Sequence, residues 1–140
     1  MIPVGLAHDV PSLLAESRRR EKAQTQYYRA LASDAESVGD GPVSERLNAL
    51  HADEQHHLSR LTARLIELGE TPEDLSTVPR EEADYTGWEG VARDRELREI
   101  QWYEEISAVI DDPATREVIM EILGSERHHH EELGGKWMPA

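Results

Sequence analysis

The sequence predicts an all-α fold, an antiparallel bundle of four helices. Apolar residues recur at alternating steps of three and four along four segments, which is the spacing of amphipathic helices. Strand signals are lacking. Short links join the first helix to the second and the third to the fourth, whereas a long connection joins the second to the third. This connectivity predicts a bundle with one long crossover rather than an up-down-up-down bundle.

The first two helices are bounded by proline and glycine. The first runs from about Ser12 to Val38, after Pro11 and before "GDGP". The second runs from about Val43 to Leu68, and Gly69 suits its C-terminal cap. Their inward stripes are predicted to be Leu14, Ser17, Glu21, Gln24, Tyr28, Leu31, Ala35 and Val38 on the first helix, and Leu47, Leu50, Glu54, His57, Leu61, Leu65 and Leu68 on the second.

The crossover "ETPEDLSTVPREEADYTG" is too long for a tight helix hairpin. The third helix then runs from about Trp88 to Ile110, and the fourth from Pro113, which suits a first helical turn, to about Leu133. Their inward stripes are predicted to be Ala92, Glu96, Glu99, Tyr103, Ile106 and Ile110 on the third helix, and Ile119, Ile122, Glu126, His129 and Leu133 on the fourth.

Composition limits the function classes. A chain of 140 residues suits one domain, 1–140, with the bundle at about 12–133 and a short tail at 134–140. The net charge of −14 argues against nucleic acid and anionic membranes as partners. No cysteine is present, so thiol catalysis, iron–sulfur clusters and a four-cysteine iron centre are excluded. Neither a signal peptide nor an apolar span is recognisable, which predicts a cytoplasmic protein.

Charged residues interrupt every inward stripe near the middle of its helix. They are Glu21, Glu54 with His57, Glu96 with Glu99, and Glu126 with His129. A carboxylate buried in a dry core must be neutralised, paired or bound to a metal. Residues three apart share a helix face, so "EQHH" (54–57) and "ERHH" (126–129) each present a carboxylate and an imidazole together. Mixed oxygen and nitrogen donors suit iron or manganese, and imidazole also admits zinc.

The two halves of the chain repeat this pattern. Tyr28 follows Glu21 by seven residues and Tyr103 follows Glu96 by seven, and each pair precedes a helix with Glu-x-x-His. Two helix pairs related by a pseudo-twofold would surround one dinuclear centre, with the tyrosines close enough to hydrogen-bond the ligands. Glu99 breaks the symmetry, because the matching position on the first helix is Gln24.

From about residue 12 to 133 the sequence resembles the rubrerythrin branch of the ferritin-like diiron superfamily, and within it the erythrin-type members without a rubredoxin domain. The resemblance implies a ferritin-like bundle with two iron ions, manganese being an alternative metal. It also implies that Glu99 and His57 exchange as ligands to one iron, and that Tyr28 belongs to the pattern. The implied ligands are Glu21, Glu54, His57, Glu96, Glu99, Glu126 and His129.

The family reduces hydrogen peroxide, which makes a peroxide reductase the first expectation for this chain. The oxidant would be hydrogen peroxide or dioxygen, and the electron donor would be a separate protein. A homodimer or larger homo-oligomer is expected. Three alternatives stay open: a ferroxidase for iron storage, including a cargo enzyme that loads a protein shell, a dimanganese catalase, and a metal-free structural bundle whose carboxylates pair with arginine.

Four further histidines are predicted to lie off the inward stripes and to be solvated: His51, His56, His128 and His130. The run of three histidines is therefore interpreted as one ligand with two bystanders. A purification tag is disfavoured because Glu-Glu-Leu follows and completes the helical stripe. Tyr28 and Tyr103 are candidates for a redox role or for packing alone, and Trp137 is left unplaced.

Overall fold

The computed structural model describes residues 9–137, in which four α-helices and no strand are present. Helix α1 spans Val10–Ser37, α2 spans Gly41–Glu67, α3 spans Trp88–Val109 and α4 spans Pro113–Glu132. The short, long and short connections between them confirm the predicted connectivity. The described chain divides into two compact units, one of residues 14–88 and the other of residues 9–13 with 89–137.

Helix α2 begins two residues earlier than predicted because Asp40 caps it. The Asp40 carboxylate accepts a hydrogen bond from the Val43 N–H at 3.2 Å, which satisfies one of the donors that a helix start leaves open. Gly39 makes the turn before it with a φ of +76°. At the other end, Gly69 follows the helix with a φ of +82°, as predicted for a glycine that ends a helix.

The crossover from α2 to α3 runs along α1 in the direction of α1. Three contacts fix this register: Arg18 Nη1 donates to the Glu73 carbonyl at 3.0 Å, Gln26 Nε2 to the Val78 carbonyl at 3.5 Å, and the Tyr85 hydroxyl to the Asp40 carboxylate at 2.5 Å. Leu75 is buried between the first two contacts in sequence. The crossover is therefore attached to α1 through Glu73 and Val78, and to the start of α2 through Tyr85.

Burial confirms the predicted stripes. Every stripe residue of α1, α2, α3 and α4 is buried except two. Val38 is 65% exposed, because α1 ends at Ser37 and Val38 lies in the turn that follows. Leu68 is half-buried at the end of α2. None of the helices in residues 9–137 combines the length and the apolar character that a bilayer span requires.

The C-terminal tail is placed as far as Trp137. Its indole Nε1 donates to Glu89 Oε2 at 2.7 Å, which joins the tail to the start of α3. The sequence did not place this residue. The last three residues, like the first eight, lie outside the described part of the chain.

Removing the Asp40 carboxylate should destabilise the fold. Asp40→Ala loses both the cap of α2 and the partner of the Tyr85 hydroxyl. We expect the free energy of unfolding, measured by urea denaturation, to fall by about 1–2 kcal/mol. Tyr85→Phe is the matched control, since it removes only the tyrosine hydrogen bond and should cost less. Equal losses in the two variants would contradict the capping role.

Candidate metal centre

In the unit of residues 14–88, two helices bring three of the predicted ligands together. Glu21 lies on α1, Glu54 and His57 lie on α2, and all three side chains are buried. One donor atom from each lies within 4.8 Å of the others. His57 Nδ1 is 3.6 Å from Glu21 Oε2 and 3.8 Å from Glu54 Oε2. We call these three residues the first triad.

The unit that contains α3 and α4 repeats the arrangement. Glu96 lies on α3, Glu126 and His129 lie on α4, and all three are buried. Their donor atoms also lie within 4.8 Å of one another. His129 Nδ1 is 3.7 Å from Glu96 Oε1 and 3.6 Å from Glu126 Oε1. This second triad uses the same imidazole nitrogen at nearly the same distances, so the symmetry of the sequence recurs in the geometry.

The triads are dry and rich in acidic groups. Both carboxylate oxygens of Glu54 and of Glu126 are shielded from solvent, as are the Nδ1 atoms of His57 and His129. Burial raises the pKa of Glu21 well above its ordinary value, the neighbouring Glu54 raises it further, and His57 acts in the opposite direction. The first triad by itself therefore holds its negative charge poorly.

The spacing of the donor atoms in each triad is compatible with a shared cation. The imidazole–carboxylate distances of 3.6–3.8 Å exceed the usual hydrogen-bond range of about 2.7–3.2 Å. Two donor atoms that bind one ion at about 2.1 Å each lie no more than about 4.2 Å apart. Two carboxylates and one imidazole also form a donor set that iron, manganese and zinc accept. Each triad thus fits one metal ion.

The remaining predicted site residues are buried beside the triads along their helices. Glu99 is 8% exposed and lies one turn after Glu96, but it does not belong to the group whose donor atoms all lie within 4.8 Å. Its counterpart Gln24 is buried on α1. Tyr28 and Tyr103 are fully buried seven residues after Glu21 and Glu96. Tyr28 also makes an edge contact with the Tyr27 ring at 5.6 Å between centroids.

The other histidines differ in their surroundings. His56 and His128 are exposed as predicted, so in both Glu-x-x-His-containing segments a buried histidine has an exposed neighbour. His51 and His130 are half-buried, contrary to the expectation that they are solvated. His51 Nδ1 lies 2.8 Å from the Thr25 carbonyl and so connects α2 with α1. The position of His51 off the inward stripe of α2 did not predict this contact, because His51 lies beside the stripe rather than on the opposite face of the helix.

The arginines near Glu21 contact other groups. Arg18 Nε donates to Thr62 Oγ1 at 2.9 Å, and Arg19 Nε donates to Glu73 Oε1 at 2.8 Å. Arg20 Nε lies 3.5 Å from Glu16 Oε1. Each of the three arginines therefore has a partner outside the predicted ligand set.

No protein-family model matches the chain, and no curated protein matches its sequence. Among solved structures, bacterioferritin BfrA of Mycobacterium tuberculosis superposes with a TM-score of 0.80, covering 91% of this chain and 82% of that one. The chain has the ferritin-like fold. At 17% sequence identity the likeness establishes the fold alone, and the ferritin-like bundle must be assigned a function from its site.

Proposed function

We propose that this ferritin-like protein is a diiron oxidoreductase that oxidises Fe(II), with iron storage or detoxification as its purpose. The observation that carries the proposal is the repeated buried triad, two carboxylates and one imidazole in each unit. The bacterioferritin-like fold supports iron over other metals. In this proposal the two triads together hold one dinuclear centre.

Each residue has a distinct task in such a centre. Glu21, Glu54 and His57 would hold one ion, and Glu96, Glu126 and His129 would hold the other. When bound, a pair of Fe(II) ions supplies two electrons at once, enough to reduce hydrogen peroxide and two protons to two molecules of water. The four carboxylates offset the increase in positive charge as Fe(II) becomes Fe(III).

The protein's own groups control protons and solvent at the centre. Glu21 must release its proton before it can bind a metal, because its raised pKa favours the neutral form. Metal binding should therefore release protons and strengthen as pH rises. The fully buried Tyr28 and Tyr103 exclude water one or two turns along α1 and α3. In this proposal their hydroxyls donate hydrogen bonds to ligand carboxylates, which would hold those carboxylates in position.

A rubrerythrin-like peroxide reductase is the second candidate, and Glu99 is the observation that favours it. A third acidic side chain is buried on α3, whereas the corresponding position on α1 is Gln24. By the resemblance in sequence, Glu99 would exchange with His57 as the metals change oxidation state. This candidate requires an external electron donor, because the chain has no cysteine and therefore no rubredoxin iron site.

Stopped-flow oxidation separates the two candidates. The protein is loaded anaerobically with Fe(II) and mixed with dioxygen or with hydrogen peroxide, and the appearance of Fe(III) is followed by absorbance. A faster reaction with dioxygen, with a ferric core that grows when more Fe(II) is added, supports the ferroxidase. A reaction with peroxide that is faster by about tenfold or more, without core growth, supports the reductase. Absence of oxidation beyond the protein-free rate with either oxidant would contradict both.

A further inference from the structure

A polar cleft lies outside the metal triads, in the unit of residues 14–88. Its volume is about 530 Å³, within the range of roughly 300–1,000 Å³ that small-molecule sites occupy. One face of α1 forms it together with Gln55 and His51 of α2 and Arg80 and Glu81 of the crossover. None of the seven predicted metal ligands lines it. The cleft therefore needs a separate explanation.

One end of the cleft carries a cation. Lys22 lines this end and is half-buried, although the chain as a whole has a net charge of −14. Within residues 9–137, Lys22 forms no ion pair with another side chain. The cleft is also lined by two arginines, Arg29 and Arg80, and by two acidic residues, Glu81 of the crossover and Asp34. Asp34 lies twelve positions after Lys22 on α1, which corresponds to about 18 Å of helix. The end of the cleft at Lys22 is therefore suited to an anionic group.

An acceptor without a protein donor lies beside this cation. Gln26 is four residues after Lys22, so the two side chains are neighbours on one helix face. The Gln26 Nε2 lies 3.5 Å from the Val78 carbonyl oxygen, a long hydrogen bond. Its Oε1 is shielded from solvent and accepts no hydrogen bond from the described chain. A buried acceptor in this condition costs free energy unless a ligand or water donates to it.

His51 also lines the cleft and adds a second polar atom to it. Its Nδ1 faces the Thr25 carbonyl at 2.8 Å, and a carbonyl oxygen can only accept, so Nδ1 carries the proton. In the neutral ring, Nε2 is then an acceptor. The cleft therefore combines the Lys22 ammonium group with two acceptors, Gln26 Oε1 and His51 Nε2. A simple anion would pair with the ammonium group but would leave both acceptors without a hydrogen-bond donor.

We propose that this cleft binds a small carboxylic acid that carries a hydroxyl or amino group near its carboxylate. The carboxylate contacts Lys22. A ligand ammonium donates to both Gln26 Oε1 and His51 Nε2, whereas a ligand hydroxyl donates to one of these two acceptors. Gln55, from α2, lines the same cleft and offers both a donor and an acceptor. The proposal rests on none of the metal ligands, so it stands or falls separately from the diiron centre.

Isothermal titration calorimetry with four probes tests the ligand class. The full-length protein, purified without added metal, is titrated with malate, aspartate, succinate and inorganic phosphate at constant ionic strength. Malate and aspartate are succinate with an added hydroxyl and an added amino group. We expect saturable binding of malate, aspartate or both, about tenfold tighter than succinate or phosphate. The tighter of the two identifies the donor as hydroxyl or amino. Equal affinity of all four probes, or no saturable binding, would overturn the proposal.

Two charge-matched variants test the position of the ligand. The chain has two lysines, Lys22 and Lys136, and the second lies in the tail. Lys22→Gln should weaken binding of the tighter probe at least about fivefold. Lys136→Gln changes the net charge equally and should leave the affinity within about twofold. Gln26→Leu should remove the preference over succinate. Equal effects of the two lysine variants, in chains with unchanged circular dichroism, would overturn the assignment.

Discussion

Replacing either buried histidine should abolish tight metal binding, whereas replacing its exposed neighbour should not. His57→Ala and His129→Ala each remove the imidazole of one triad. Loss of residues that only support metal ligands typically costs 10–100-fold in metal affinity or activity, so loss of a ligand should reduce Fe(II) oxidation by about 100-fold or more. Elemental analysis after dialysis should show fewer than two metal ions per chain in both variants.

The sequence itself supplies the matched controls. His56 and His128 directly precede the buried histidines, and both are exposed. His56→Ala and His128→Ala make the same chemical change one position away on each helix. Both should retain two metal ions per chain and the Fe(II) oxidation rate of the unaltered protein within about twofold. If all four variants behaved alike, a specific role of His57 and His129 would be refuted.

Glu21→Gln should change metal-free stability and metal binding in opposite directions. Because the pKa of Glu21 is raised in the folded protein, the folded chain holds a proton that the unfolded chain has lost. Stability contributed by this group is therefore complete below the ordinary pKa of 4.5 and is lost as pH rises toward the folded value. At neutral pH we expect the variant to be more stable than the metal-free parent, by about 1–3 kcal/mol.

The pH dependence gives the same prediction a second readout. Urea denaturation of the metal-free protein should show stability that decreases as pH rises above 4.5, with a smaller slope in Glu21→Gln. With Fe(II) added under argon, the parent should instead gain stability as pH rises, because metal binding displaces the proton. The variant should gain less from the metal. A variant that is less stable than the parent without metal would show that Glu21 has a structural role instead.

The sequence predicted the helices and the triads because both depend on local periodicity. A stripe with steps of three and four defines the helix face, and three-residue spacing places Glu54 with His57, and Glu126 with His129, on that face. The same periodicity predicted that His57 and His129 are buried, whereas their neighbours His56 and His128 are exposed. The ends of the helices were predicted less accurately. The start of α2 depends on the capping hydrogen bond of Asp40, a polar residue that is not part of the apolar pattern.

Features that depend on the path of the crossover were not predictable from periodicity. The contact between Tyr85 and Asp40 joins residues 45 positions apart, and Gln26 meets Val78 across 52 positions. The polar cleft arises from the same path, because Arg80 and Glu81 form part of it. The half-burial of His51 also follows from packing beside α1 rather than from its place along α2.

Anomalous diffraction at the iron edge, from crystals grown with Fe(II) under argon, tests the central claim most directly. We predict two adjacent iron peaks per chain, one coordinated by Glu21, Glu54 and His57, the other by Glu96, Glu126 and His129, with the two ions bridged by carboxylates. An interior without iron signal, or a single ion held by one triad while the other stays metal-free, would contradict the account.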